Sequence, residues 1–223
     1  MIMIKAVIFD MDGVIVDTEP IYENVNKDFY AKYGIDMEEI DTEKYIGVNL
    51  IETWKDLLNN FELKSEYADY SLEDIIEDHV QSYYKGLASS KELKLMPGII
   101  EWFKYLKEND YKMIIASSSY QPIIEYIIQK FGLDEFVSGY VDGNEVENGK
   151  PAPDIFIKAA KKLGLKNEEC LVIEDSEHGI TGAKEAGSMV VAFKQREDAE
   201  QDLSKADIII EEFNRKNLND IFA

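Results

Sequence analysis

The sequence predicts a doubly wound α/β fold whose parallel sheet is interrupted early by an inserted helical cap. Short apolar runs rich in β-branched residues alternate with longer amphipathic segments, an order typical of a parallel sheet covered by helices. Several of the amphipathic segments end at a glycine, as helices often do. The long stretch over residues 20–87 contains helical patterns and no convincing strand, which predicts the inserted cap.

The predicted core consists of six strands and four helices. The strands are expected at residues 4–9, 112–116, 136–141, 170–173, 189–193 and 207–210. The helices are expected at residues 98–107, 121–131, 153–163 and 179–186. The strand runs are continuously apolar, which is typical of strands buried on both faces of a parallel sheet.

The predicted cap is a small helical bundle. Residues 21–33, 50–61 and 72–84 show apolar and aromatic side chains at helical spacing, and this pattern indicates packing against neighbouring helices. We therefore expect a core domain formed by residues 1–16 and 90–223, and a cap domain formed by residues 17–89. The connections between them are expected near residues 13–17 and 89–97.

Composition narrows the classes of function. The 223 residues are 45% hydrophobic, enough for a sizeable core, and carry a formal net charge of −21. Nucleic-acid binding needs clustered basic side chains, so this charge argues against such a partner. No apolar stretch approaches the roughly 20 residues that cross a bilayer, and a cytoplasmic location without membrane contact is expected. The single cysteine, Cys170, lies in an apolar run and is interpreted as a core residue.

Two pairs of acids follow predicted strands. Asp10 and Asp12 come directly after the first strand, and Glu174 and Asp175 end another apolar run. If those strands are neighbours, four carboxylates meet where ligands bind in open α/β sheets. Two such charges at ~4 Å repel by about 4 kcal/mol at an effective dielectric near 20. Either pair alone is compatible with solvated acids, but both together favour a bound Mg²⁺, which prefers carboxylates, water and phosphate oxygens.

Two further features point to phosphate. The serines Ser117 and Ser118 follow the second predicted strand just before a helix, where hydroxyl and backbone N–H groups can hold an anion. Lys150 lies in a proline-stiffened loop before another helix. Taken singly, serines often cap helices and loop lysines are usually solvated. Their order along the chain, together with the acids, favours a phosphoryl-transfer site.

These motifs resemble those of the haloacid dehalogenase (HAD) superfamily, in the helical-cap subgroup that includes β-phosphoglucomutase and phosphoglycolate phosphatase-like phosphatases. The resemblance covers nearly the whole chain. It is carried by Asp10-Met-Asp12-Gly-Val, Asp17-Thr18-Glu19-Pro20, Ser117, Lys150 in Gly-Lys-Pro-Ala-Pro-Asp, and Glu174-Asp175-Ser176. The fold that the resemblance implies is a Rossmann-like core with an α-helical cap.

The resemblance also implies roles for individual residues. Asp10 would be the nucleophile that forms an aspartyl-phosphate, and Asp12 would be the general acid and base. The implied Mg²⁺ ligands are the Asp10 side chain, the Asp12 carbonyl oxygen, Glu174 and Asp175. The implied substrate-binding residues are Met11 and Ser118 through backbone N–H groups, Ser117, Lys150 and Glu19.

The predicted function is Mg²⁺-dependent hydrolysis of a small phosphorylated metabolite, with a sugar or polyol phosphate preferred. The preference rests on the acidic predicted cap, which has no arginine between residues 38 and 78. Dehalogenases of the superfamily lack the second acid, present here as Asp12. The runner-up is a β-phosphoglucomutase-like mutase, although Tyr22 and Leu50 stand where that family has a histidine and an arginine. A catalytically silent binding or regulatory protein is the alternative from another class. We expect a monomer or a weak homodimer.

Overall fold

The computed structural model describes residues 3–195 and 201–222. Its centre is a six-stranded parallel sheet with the strand order β3-β2-β1-β4-β5-β6. In chain order the strands are β1 (Ala6–Phe9), β2 (Lys112–Ala116), β3 (Tyr140–Val141), β4 (Cys170–Glu174), β5 (Met189–Phe193) and β6 (Ile208–Ile210). β2 and β3 lie on one side of β1, and β4, β5 and β6 lie on the other. β1 and β4 are therefore neighbours at the point where the strand order reverses.

Helices surround this sheet and form a separate group after β1. In chain order they are α1 (Glu19–Tyr33), α2 (Leu50–Asn60), α3 (Leu72–Ser89), α4 (Ile99–Glu108), α5 (Gln121–Phe131), α6 (Asp154–Leu163), α7 (Glu177–Glu185) and α8 (Arg215–Phe222). Among the described residues, no helix combines the length and apolar character needed to span a membrane.

Both faces of the sheet are buried, because alternate residues of each strand belong to different clusters. Val7 and Phe9 of β1 lie in a cluster that includes Trp102 of α4. Ala6 and Ile8 lie in the other cluster, which is covered by apolar residues of α6 and α7. This arrangement confirms the predicted doubly wound α/β fold and explains why the strands are continuously apolar.

Most predicted elements are present, but β3 differs and α8 was not predicted. A strand was expected over residues 136–141, whereas only Tyr140–Val141 pair with β2. The chain first makes a 3₁₀ turn at Leu133–Glu135, and Gly139 has a φ of 138° just before the strand, so the earlier residues do not join the ladder. The final helix is mostly polar and buries Leu218, which left a weak apolar pattern in the sequence.

The group of helices after β1 has its own packing. α1 and α2 both contact α3, and the side chains of Trp54 and His79 are fully buried between them. A capping box of Ser71 and Asp74 defines the start of α3, and Gly34 in the left-handed conformation ends α1. These three helices lie where the cap was predicted, while the boundaries at residues 16/17 and 89/90 stay a prediction.

The two connections to this helical group run side by side. Val16 pairs with Leu95 in an antiparallel bridge. The N–H group of Asp17 donates to the carbonyl oxygen of Lys94 at 3.0 Å, and the N–H of Met96 donates to that of Ile15 at 2.9 Å. Chain entry and exit are therefore joined by backbone hydrogen bonds close to the carboxyl end of β1.

Candidate active site

The two pairs of acids meet at the carboxyl ends of β1 and β4. The N–H group of Asp10 donates to the carbonyl oxygen of Ile173 at 2.9 Å, which extends the pairing of these strands by one residue. Carboxylate oxygens of Asp10, Glu174 and Asp175 all lie within 4.8 Å of one another. Because ligands bind at the reversal of strand order in such sheets, this cluster occupies the expected ligand position.

Lys150 is buried inside the acidic cluster. Its Nζ lies 2.5 Å from Asp10 Oδ1 and 2.6 Å from Glu174 Oε1, and the side chain is 1% exposed. Burial lowers the pKa of Lys150, but the charges of Asp10 and Glu174 outweigh it and hold the pKa above its ordinary value. The lysine therefore stays charged and balances part of the acidic cluster.

One lysine does not neutralise the carboxylates around it. Burial is the largest effect on Asp10 and raises its pKa to about 8, with Lys150 opposing and Glu174 and Asp12 adding to the rise. Burial, Glu174 and Asp10 likewise raise the pKa of Asp175 well above its ordinary range. Such a cluster either holds extra protons or needs a further cation.

The donor set fits a hard divalent cation. The three clustered side chains offer oxygen atoms alone, as Mg²⁺ prefers. A Cβ atom on Gly13 would lie 2.0 Å from Asp175 Oδ2, and Gly13 has a φ of +78°. Glycine at this position is therefore what lets the chain after β1 pass so close to the Asp175 carboxylate.

Glu174 is fixed from both sides. Its Oε1 accepts from Lys150, while its Oε2 accepts from the N–H groups of Asp175 at 2.8 Å and Ser176 at 2.9 Å. A Cβ on Gly179 would come within 1.7 Å of Oε1, so a side chain at this position in the first turn of α7 would collide with the carboxylate. Both oxygens of Glu174 are thus already engaged, which leaves Asp10 and Asp175 better placed as side-chain ligands of a metal.

Asp12 is held apart from the cluster by hydroxyl groups. Its Oδ1 accepts from Thr18 Oγ1 at 2.8 Å. Its Oδ2 accepts from Ser119 Oγ at 2.8 Å and from Ser117 Oγ at 3.2 Å. Neither Thr18 nor Ser119 was predicted as a site residue. The sequence nevertheless pointed to both residues, since Thr18 lies in the Asp17-Thr18-Glu19-Pro20 motif and Ser119 directly follows two predicted site serines.

The other predicted substrate-binding residues lie around the same crevice. Ser117 is fully buried at the end of β2, and Glu19 lines the cavity above it. Ser118 also lines the cavity, but its hydroxyl donates to the carbonyl oxygen of Gly47 at 2.7 Å, a contact between β2 and the loop before α2. The Met11 side chain is fully buried in the core, so its backbone alone is left for substrate.

A cavity of about 450 Å³ extends from the acids toward α1, α2 and α3. Its core side includes Asp10, Asp12 and Asp175. The cavity lining is also rich in tyrosine, and the tyrosines that line it are Tyr22, Tyr30, Tyr45, Tyr83 and Tyr120. Within the described part of the chain, no lysine or arginine lines this cavity.

A parallel α/β sheet with acids and a buried lysine at its reversal point, beneath a group of inserted helices, defines the class of HAD-like enzymes. A sequence model described as haloacid dehalogenase-like hydrolase matches residues 7–193. The chain belongs to the haloacid dehalogenase-like hydrolase family. The resemblance identified from the motifs is thereby confirmed.

Curated relatives include phosphatases and a mutase. The chain is 31% identical to a phosphorylated carbohydrates phosphatase of Thermotoga maritima over 82% of both proteins. It is 29% identical to β-phosphoglucomutase of Bacillus subtilis, with 92% of this chain and 88% of that protein covered. It is 30% identical to a bifunctional riboflavin kinase/FMN phosphatase of Arabidopsis thaliana over 84% of this chain, and it spans 48% of that longer protein.

Solved structures agree on the fold. The structure of β-phosphoglucomutase from Clostridium difficile matches with a TM-score of 0.82 and 25% identity, covering 99% of this chain and 97% of that one. CbbY from Rhodobacter sphaeroides, solved in complex with phosphate, matches with a TM-score of 0.84 and 22% identity over 95% of both chains. At the latter identity the similarity supports the fold alone.

Proposed function

We propose that this protein is a Mg²⁺-dependent phosphomonoester hydrolase that works through an aspartyl-phosphate on Asp10. The observation that carries the proposal is the separation of two acids at one strand end. Asp10 lies in the charged cluster with Lys150, whereas Asp12 is held by the hydroxyls of Thr18 and Ser119. Lys150 and a bound cation would hold Asp10 as the charged nucleophile. The hydroxyl partners of Asp12 can accept as well as donate, so Asp12 can carry the proton of a general acid.

Asp10 is proposed to attack the phosphorus atom. Lys150 donates to Oδ1 and favours the charged carboxylate that the attack requires. The P–O bond to the leaving group breaks as the new bond to Asp10 forms, and Asp12 gives its proton to the leaving oxygen. In the second half, water attacks the phosphorus atom, Asp12 takes the proton of that water, and Asp10 is released.

Mg²⁺ is proposed to be held by the side chains of Asp10 and Asp175 and the carbonyl oxygen of Asp12, with Glu174 adding negative charge beside it. When bound, the cation offsets the repulsion among the carboxylates and stabilises charge on the phosphoryl oxygens. Ser117, Lys150 and the backbone N–H groups of Met11 and Ser118 are proposed to complete the phosphate cradle.

The leaving group is proposed to be a neutral sugar or polyol. The described lining of the cavity offers tyrosine rings and no lysine or arginine, so it gives a second anionic group no cationic partner. Aromatic rings suit the apolar faces of a sugar. The Thermotoga relative named for phosphorylated carbohydrates supports this choice, as does a fructose-1-phosphate phosphatase of Escherichia coli that is 29% identical over 82% of this chain.

Release of inorganic phosphate from p-nitrophenyl phosphate and from a panel of phosphorylated metabolites tests the proposal. We expect turnover with Mg²⁺, little or none with EDTA, and a loss of more than about 100-fold in the variant Asp10→Asn. Equal rates under all three conditions would instead support a silent binding protein. A panel in which phosphoglycolate clearly exceeds every sugar phosphate would remove the proposed substrate class.

A sugar phosphomutase is the second candidate, because β-phosphoglucomutases are among the relatives. Tyr22 and Leu50, which replace the histidine and arginine of that family, both line the cavity. Neither supplies a positive charge for a sugar bisphosphate. Accumulation of an isomeric sugar phosphate in place of inorganic phosphate would identify a mutase.

A further inference from the structure

We propose that Asn26 determines specificity by donating a hydrogen bond from its side-chain amide to an oxygen of a monosaccharide-sized leaving group. The inference rests on the proposed function and names the residue that recognises its substrate class. Asn26 lies on α1 and lines the cavity, and no sequence motif pointed to it. It is held by a buried chain of hydrogen bonds that fixes which end of its amide faces the cavity.

The direction of that chain is set by Trp54. Its indole Nε1 donates to His79 Nδ1 at 2.9 Å, and an indole N–H can only donate. His79 is fully buried, and burial lowers its pKa to about 3, so the ring is neutral with its proton on Nε2. Nε2 therefore donates to Asn26 at 2.9 Å, and the atom that accepts must be the amide oxygen.

A second donor confirms this orientation of the amide. The hydroxyl of Tyr83 donates to the same Asn26 Oδ1 at 2.6 Å, so both lone pairs of that oxygen are used. Among the described residues, Asn26 Nδ2 has no hydrogen-bond partner, although the side chain lines the cavity. Two N–H donors are thus available on the substrate side of a side chain whose oxygen cannot turn toward the cavity.

The side chain is also rigidly supported. The ring of Phe29 stacks on His79 with centroids 4.0 Å apart and an interplanar angle of 5°. Tyr83 packs against Tyr22 at 4.2 Å. Little ordering of Asn26 is therefore needed when a ligand binds, and a donor held in advance gives more affinity than a mobile one.

Position along α1 sets the size of the leaving group. Thr18, Tyr22 and Asn26 follow one another at intervals of four residues, which places them on one side of the helix, and all three line the cavity. Thr18 contacts Asp12, the proposed acid. Eight residues of helix rise about 12 Å, a separation that suits contact with a sugar ring rather than with a two-carbon acid.

The variant Asn26→Asp separates the proposed contact with substrate from the hydrogen bonds that hold the side chain in place. It keeps an oxygen that accepts from His79 and Tyr83 and replaces the free amide donor with an acceptor. Asn24→Asp is the matched control, because this substitution makes the same change of charge on the exposed side of α1. The Asn24 amide there donates to the carbonyl oxygen of Pro20. The measurement is kcat/KM for the best sugar phosphate and for phenyl phosphate, whose leaving group has no further polar atom.

We expect Asn26→Asp to lower kcat/KM for the sugar phosphate by about tenfold, which is the effect of one lost hydrogen bond. The kcat/KM for phenyl phosphate should change by less than about twofold. Asn24→Asp should leave both values unchanged. An equal loss on both substrates, or no loss on the sugar phosphate, would overturn the proposal. Asn26→Ala, measured in the same way, decides the matter if the aspartate variant does not unfold cooperatively.

Binding without turnover keeps the two proposals distinguishable. In the Asp10→Asn background, calorimetric affinities for the same two phosphates, with and without Asn26→Asp, give the same comparison. If the wild-type protein hydrolyses nothing in the presence of Mg²⁺, the proposed function fails. The binding comparison still decides on Asn26, because selective loss of sugar phosphate affinity supports its role and unchanged affinity rejects it.

Discussion

At the scale of single residues, the buried charge of Lys150 offsets part of the repulsion within the acidic cluster. Its ammonium group is shared between Asp10 and Glu174, both buried carboxylates. Removing one member of a buried ion pair leaves an uncompensated charge, which costs far more than the loss of an exposed pair. Lys150 is therefore expected to matter for stability as well as for phosphate binding.

We predict that Lys150→Met lowers the free energy of unfolding by about 3–5 kcal/mol in the absence of divalent cations and lowers phosphatase activity more than about 100-fold. Urea denaturation and phosphate release measure the two effects. Lys158→Met is the matched control, because Lys158 pairs with Glu145 at a partly exposed site and should cost about 1 kcal/mol or less. Equal destabilisation by both variants would refute the importance of burial.

A second residue-scale prediction concerns pH and His79. Burial lowers its pKa from 6.5 to about 3, so between these values the unfolded chain binds a proton that the folded chain does not. Stability from this residue is therefore present above pH 6.5 and is lost as pH falls, by about 1.4 kcal/mol per unit.

The variant His79→Gln does not titrate and isolates this effect. We expect it to be less stable than the wild-type protein at pH 7, because the hydrogen bonds to Trp54 and Asn26 are disturbed. The difference in unfolding free energy should shrink by about 2 kcal/mol at pH 5. Urea denaturation at both pH values checks this, and a constant difference would show that His79 titrates normally in the folded protein.

At the scale of elements, the loop before α2 touches three core segments. The carbonyl oxygen of Gly47 accepts from Ser118, that of Ile46 lies 3.2 Å from His178 Nδ1, and Asn49 lies against Gly149. Gly47 has a φ of +78°, and a Cβ there would lie 2.5 Å from Ser176 Oγ. The loop thus needs a glycine to close over the acids.

We predict that Gly47→Ala lowers kcat/KM more than about tenfold, since the strained loop must withdraw from the site, at a stability cost of about 1–2 kcal/mol. Gly34→Ala is the control, because Gly34 has a φ of +93° and a Cβ there would lie 2.8 Å from Lys64, away from the cavity. It should cost similar stability and leave kcat/KM unchanged. Parallel losses of activity in both variants would mean that general destabilisation is responsible.

The elements also show how far local sequence predicts structure. β2, β5 and α5 have the bounds that apolar runs and a terminal glycine indicated. β3 is shorter than its apolar pattern suggested, because pairing is decided by the neighbouring strand and by the backbone at Gly139. α8 escaped prediction because its burial depends on contacts with distant residues such as Trp102, which packs against Phe222.

At the scale of the whole molecule, metal binding should be linked to folding. Only the folded protein brings the carboxylates of the acidic cluster close together, so a cation that binds between them stabilises the folded state. We predict that Mg²⁺ at 100 times its dissociation constant adds about 2.7 kcal/mol, a rise in Tm of about 5–10 °C for a chain of this length. Asp175→Asn should abolish most of this rise, whereas the surface variant Asp220→Asn should retain it.

Stabilisation by ionic screening must be separated from stabilisation by specific metal binding. The net charge of −21 causes repulsion among the acidic side chains, and any salt reduces that repulsion. NaCl at matched ionic strength is therefore the reference in thermal unfolding. A rise with Mg²⁺ that NaCl reproduces, or that Asp175→Asn leaves intact, would count against a metal site at the acids.

The sequence by itself predicted the sheet, the helices inserted after β1 and the acids, serines and lysine of the candidate site, because periodicity and strand-end motifs are local and can be read without coordinates. The tertiary structure alone decided that β1 and β4 are neighbours and that Thr18 and Ser119 hold Asp12. It also decided that Trp54, His79 and Tyr83 orient Asn26 toward the cavity. Hydrogen-bond partners far apart along the chain are chosen by packing, and no local pattern records that choice.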